Sequence, residues 1–254
     1  MSAAQAPDTL FRQAMEAPLT PEGEASARVK IQNAMNGLLA RRDLKCDPRA
    51  RNMLLACRLR LRSLQNTVIC ARGEEGFIAR PCELREYVRD LCAASDTLLA
   101  PLGRAVRFGA PEEAVEALCA PRDIAWLVLE MICNCALHCR GEEIAVSLEP
   151  KGGRGRHCSV TLTARCEGRL DLEALHAAGL RPGSGVAAMQ RIAWLHRGAL
   201  LWLERDGMSV AALRIAGKAG RQERRPAGDE PDDVEMLSDP CSQVYVGLAP
   251  AGGG

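Results

Sequence analysis

The most restrictive stretch of this chain runs from Ile124 to Cys139, the most apolar segment of the sequence, interrupted by a single carboxylate, Glu130. A membrane span needs roughly 20 apolar residues, so this run reads instead as a helix buried inside a globular protein. Pro121 precedes it and suits the opening turn of such a helix, which is expected over Asp123 to His138. A chain of 254 residues is long enough to bury it within one large or two modest domains. Lys and Arg number 33 against 32 for Asp and Glu, so no excess positive charge argues for a nucleic-acid partner. Aromatics at 3% leave little for base stacking. The N-terminus lacks both the basic start and the apolar run of a secretory signal, so the expectation is a cytoplasmic protein with no membrane span. The 12 cysteines show no paired spacing and read as reduced thiols serving as small core residues.

Four segments are expected. Residues 1–24 are rich in Ala, Pro, Thr and Glu and read as a flexible N-terminal tail. Residues 25–75 read as a helical hairpin. Val29, Ile31, Met35, Leu38 and Leu39 form one stripe, and Met53, Leu54, Cys57, Leu61, Leu64 and Val68 form the next, with a polar break at Asp43 to Pro48. A lone hairpin cannot bury both stripes, so pairing with a second copy into a four-helix bundle is expected. Residues 76–216 mix helices with strands. Helices are expected at Glu83 to Leu99, Asp123 to His138, Leu172 to Ala177 and Gly183 to His196. Strands are expected at Ala105 to Phe108, Val115 to Cys119, Ile144 to Leu148, Ser159 to Ala164, Leu200 to Glu204 and Met208 to Ile215, with a Gly-rich turn over Lys151 to Gly155. Residues 217–254 are charged and Gly/Pro-rich and read as a flexible C-terminal tail, with Val244-Tyr245-Val246 as a docking motif or plain tail.

Glu130 and Asn134 lie four residues apart, hence one turn apart on one helix face. Both offer hard oxygen acceptors of the kind that hold a metal ion and a water. Gly183-Ser184-Gly185 stands just before a helix, where backbone N–H groups and the helix dipole favour a phosphate. Each signal alone is weak; their order along the chain strengthens both.

With these motifs in that order, the chain resembles a sensor histidine kinase, and more broadly the ATPase superfamily shared by gyrase, the ninety-kilodalton heat-shock chaperones, histidine kinases and mismatch-repair ATPases. The stretch from Asp123 to His138 is similar to the family's asparagine box, and Gly183 to Leu200 is similar to its glycine box with the helix and strand behind it. The resemblance spans roughly Arg28 to Ile215 and implies an α/β fold, an α+β two-layer sandwich of the histidine-kinase ATPase type preceded by a dimerising hairpin. It implies ATP and Mg²⁺ as cofactors, with Asn134 as the Mg²⁺ ligand. Glu130 takes the place of the gyrase-like glutamate that polarises the attacking water. Gly183, Ser184 and Gly185 would face the phosphates, and His138 would sit near the nucleotide.

The chain also departs from the family pattern. Leu137 stands where a lysine is common. The acid that holds the adenine amino group aligns with Arg165, whose guanidinium offers no acceptor; a two-residue slip brings Glu167 there, beside Gly168. Leu170 and Gly183 are too close for a long nucleotide lid. The first hairpin helix has no phosphoacceptor: the only histidines are His138, His157, His176 and His196. Cys133, Cys135, His138 and Cys139 are soft-ligand types in close order, yet Cys133 points away from the other three on a helix, and buried thiols explain the cluster better than zinc. Trp126, Trp194 and Trp202 read as core anchors. Two functions stand side by side: a histidine-kinase-like signalling protein that binds ATP and Mg²⁺, and a non-catalytic dimeric scaffold that binds a regulatory protein.

Overall fold

The computed structural model describes residues 7–41, 43–44, 46–151, 159–169, 171–216, 233–239 and 242–252. The turn expected at Lys151 to Gly155 falls mostly outside them, as do His157 and Leu170. Nine α-helices and seven strands are described: α1 (Pro7–Glu16), α2 (Glu24–Leu39), α3 (Pro48–Ala71), β1 (Arg80–Glu83), α4 (Leu84–Leu99), β2 (Ala105–Gly109), β3 (Glu116–Cys119), α5 (Pro121–His138), β4 (Glu143–Lys151), β5 (Ser159–Glu167), α6 (Leu172–Gly179), α7 (Gly185–Leu195), β6 (Ala199–Arg205), β7 (Met208–Ala216), α8 (Asp233–Ser238) and α9 (Gln243–Gly247).

The sheet has the order β2-β4-β5-β7-β6, with β2 parallel to β4 and every other pair antiparallel. Strand alternation makes one face apolar. Ile144, Val146 and Leu148 of β4, Val160, Leu162, Ala164 and Cys166 of β5, and Ala211, Leu213 and Ile215 of β7 are all buried. The helical layer on this face includes α5, which is buried along almost its whole length. The opposite face carries polar pairs such as Ser147 with Thr163, whose hydroxyls lie 2.6 Å apart. β1 and β3 form a small antiparallel ribbon of their own. The β1 strand was not visible in the periodicity; its pairing with β3 is what defines it.

α2 and α3 form the expected hairpin. Asp47 caps α3 by accepting from the Arg49 N–H at 2.9 Å, Pro48 fits the first turn, and Arg41 bridges Asp43 and Asp47 across the break.

Both termini correct the sequence reading. Within 1–24, Pro7–Glu16 is a helix, not a loose tail. It packs on both α2 and α3, burying Ala14, and the Arg60 side chain of α3 donates to the carbonyls of Ala14 and Ala17 at its C-terminal end. The hairpin is therefore not alone, and a third helix of the same chain covers part of the stripe assigned to a second copy. Within 217–254, the α8 and α9 segments fold back onto the protein. Val244, Val246 and Leu248 are buried, α9 packs on α3, α4 and α5, and the Arg58 guanidinium stacks on the Tyr245 ring at 4.6 Å. Val244-Tyr245-Val246 is thus a docking element whose receptor is its own chain.

Candidate functional site

α5 and α7 lie side by side and bring the two motifs together. Glu130, in the middle of α5, is fully buried. A side chain added at Gly185, the first residue of α7, would place its Cβ only 2.1 Å from Glu130 Oε2, so glycine is required for this approach. Gly183, two residues earlier, holds φ at +80°, the left-handed region that favours glycine. Ser184 between them is the N-cap: its hydroxyl accepts from the Ala187 N–H at 3.0 Å and donates to the Ala178 carbonyl at 2.5 Å. Its single O–H donor is spent on the turn.

What sequence reasoning missed is the third wall. α3 packs against α7 and lays Arg62 beside Glu130, with Nη2 2.5 Å from Oε2. A Cβ at Gly185 would also lie 3.2 Å from the same Arg62 nitrogen, and one at Gly183 would lie 3.0 Å from Thr67 Oγ1. Burial pushes the Glu130 carboxyl above its ordinary range, with the Arg62 charge and then the Asn66 amide pulling the other way. Asn66 itself accepts from the Trp126 indole N–H at 2.8 Å, which secures that tryptophan in the core. Asn134, one turn beyond Glu130, is buried and donates to the Glu130 backbone carbonyl at 2.8 Å.

The other assigned residues lie at the far end of α5. His138 and its neighbour Leu137 are exposed. The end of β5 runs against the end of this helix: the N–H groups of Arg140 and Gly141 both donate to the Glu167 carbonyl, at 3.0 and 2.9 Å, and Gly168 lies against Cys139. Glu167 keeps an exposed side chain there, and Arg165 reaches instead toward Glu149 across the outer sheet face, 3.8 Å away. Arg104 closes the helix end, its guanidinium donating to the carbonyls of Ala136, Cys139 and Gly141.

The cysteines and tryptophans divide. Cys135 and Cys139 converge with Cys166 of β5, whereas Cys133 faces the Ala251 backbone and His138 faces out. Trp194 corrects the sequence reading: it is half exposed, beneath the Arg191 guanidinium at 4.1 Å, and anchors no core.

The packing bears directly on the positions assigned to Mg²⁺ and the triphosphate. Glu130 fills the space at the start of α7, Arg62 is paired with it, and Asn134 spends an amide N–H on the Glu130 backbone carbonyl. In this conformation the residues do not fit a triphosphate with its metal, and no chemical step is derived through one.

No protein-family model matches the chain, and no curated protein matches it. Solved structures do. The histidine kinase AdeS of Acinetobacter baumannii aligns over 73% of this chain and 94% of its own, with a TM-score of 0.54 at 14% identity. ShkA, solved in complex with AMPPNP, aligns over 79% of this chain with a TM-score of 0.58 at 13% identity. The chain spans about half of ShkA, 47% of that protein. Among the described residues no helix is long and apolar enough to cross a membrane. With helices layered on a mixed five-stranded sheet and a helical hairpin ahead of it, the chain has the fold of a histidine kinase with its ATPase domain.

Proposed function

We propose that this protein is a signal-transduction scaffold of the histidine-kinase type, a dimer that binds a regulatory protein and does not turn over nucleotide while α3 is in place. One observation carries the reading: Arg62 of α3 is paired with the fully buried Glu130 against the start of α7, where the resemblance puts the phosphates. A buried charge pair gains its stability from close geometry, and removing one partner strands the other in low dielectric. Phosphoryl transfer depends almost wholly on positioning and on cations at the phosphates, and here those positions are filled by side chains of the chain itself. The absence of histidine from α2 supports the same reading.

A second reading is an ATP- and Mg²⁺-binding kinase that opens between α3 and α7. It is favoured by the full burial of the Glu130 carboxylate beside the glycine turn, whose ionisation burial opposes. Incubation with γ-labelled ATP and Mg²⁺ separates the two. The scaffold reading expects neither labelled protein nor released phosphate above buffer. Turnover that disappears in Asn134→Ala would establish the kinase reading instead.

A further inference from the structure

α3 is held over Glu130 by more than its ion pair. It reaches α5 through long side chains, Arg62 to Glu130 and Asn66 to Trp126, whereas α9 and the turn after it, Ala249–Ala251, pack on both helices. These contacts lie beside the ion pair on each helix. The buried Arg58 guanidinium, one turn before Arg62, lies over the Tyr245 ring at 4.6 Å. On α5, a Cβ at Gly247 would lie 3.0 Å from Cβ of Leu129, the residue next to Glu130, so α9 rests directly on that helix. α4 forms a third wall, and a Cβ at Gly252 would lie 3.5 Å from Leu102 Cδ1 just beyond it.

The segment is held there largely by apolar burial. Val244, Val246, Leu248 and Ala249 are all buried, and α9 packs on α3, α4 and α5. Its backbone bonds close on itself: the N–H groups of Val246, Leu248, Ala251 and Gly252 donate to the carbonyls of Ser242, Val244, Leu248 and Ala249. Two side chains tie it to α8. Ser242 Oγ donates to the Met236 carbonyl at 2.7 Å, and the Tyr245 hydroxyl donates to the Leu237 carbonyl at 3.4 Å. The segment joins no strand ladder and continues no helix of the body. It can therefore leave as a unit with the sheet intact, and units joined this way open at a lower free energy than the whole fold.

We infer that the groove between α3, α4 and α5 is a peptide-binding site filled by the chain's own residues 243–251, and that this segment is a detachable strap. Docked, it holds α3 over Glu130; released, it frees α3 from α5. The groove recognises a short helical turn that buries Val244, Val246 and Leu248 and lays one tyrosine ring against Arg58. Without the strap, α3 would keep only its long side-chain links to α5 and its packing on α7. This inference rests on the reading of α3 as the element that closes the phosphate end, and it adds what controls that closure.

The test is amide hydrogen exchange, read by mass spectrometry without nucleotide, on the full chain and on its Val244→Asp/Leu248→Asp variant. In the variant α9 should lose its protection, and α3 between Arg58 and Asn66 should exchange at least about tenfold faster, while β5 and β7 keep the parent rate. A peptide of residues 242–252 at about 1 mM, the order of the effective concentration of a tethered segment, should restore the protection of α3. The same peptide carrying both substitutions should not. The inference is overturned if α3 keeps its parent rate while α9 exchanges freely, or if the sheet loosens together with α3. It is equally overturned if α9 stays protected despite both substitutions, or if the peptide restores nothing. Failure of the closed-site reading would look different: a saturable Mg-ATP heat in the unaltered protein, with these exchange rates as expected.

Discussion

The middle of α5 and its C-terminal end each meet a second element of the fold, and they are closed differently. At Glu130 a glycine turn meets the helix and a third element, α3, fills the meeting point with an ion pair. At Cys139 the end of β5 meets the helix, and the closure is made by backbone hydrogen bonds and Arg104, leaving His138 and Glu167 exposed above buried thiols. The fold therefore brings Glu130 and the glycine turn together whether or not the place where they meet is left open. What differs between the two places is α3, which packs at Glu130 and does not reach the end of α5 at Cys139.

The contrast can be broken first at Arg62. Arg62→Ala strands a buried carboxylate and should cost about 3–5 kcal/mol in urea denaturation; a loss below about 1 kcal/mol would mean that the pair does not brace α3. Gly185→Ala comes next. Its Cβ would overlap Glu130, and overpacking of this kind costs about 1–3 kcal/mol, so a variant as stable as the parent would show that α7 slides freely past α5.

A smaller effect is expected with pH. His196 is buried, its Nε2 accepts from the Ala120 N–H at 3.0 Å, and its Nδ1 lies 2.8 Å from the Ile192 carbonyl, so the neutral ring with its proton on Nδ1 fits both. Burial lowers its pKa below 6.5. The unfolded chain then binds the proton first, so stability is full above that value and falls as pH drops below it, by at most about 1.4 kcal/mol per pH unit. Melting curves between pH 7 and 5 should show that slope, and His196→Gln should flatten it. The smallest effect belongs to the open end: Glu167→Ala, an exposed side chain, should change stability by less than about 0.5 kcal/mol.

Much of this was legible in the sequence because it is periodic. The α5 apolar run, the α2 and α3 stripes and the alternation of β4, β5 and β7 each follow from local spacing, whereas the direct contact of Glu130 with the glycine turn does not: family order assigns both motifs to one site, and only the packing shows them touching. Arg62 was not legible. It lies on α3, 68 residues before Glu130, and nothing within a helical stripe says which arginine will meet which acid. Arg104 escaped for the same reason. The α1 helix did leave a signal, since Leu10, Phe11, Ala14 and Met15 follow helical spacing after Pro7, but Ala/Pro-rich composition outweighed it. The α9 segment is too short for any period, and only burial against α3, α4 and α5 defines it.

The closure by α3 is tested most directly by titrating Mg-ATP to millimolar concentration into the unaltered protein in a calorimeter, beside Asn134→Ala. A flat titration for both proteins is expected from a site filled by Arg62 and Glu130. A saturable heat in the unaltered protein that is lost in Asn134→Ala would show that the phosphate end opens to nucleotide, contradicting the closed site.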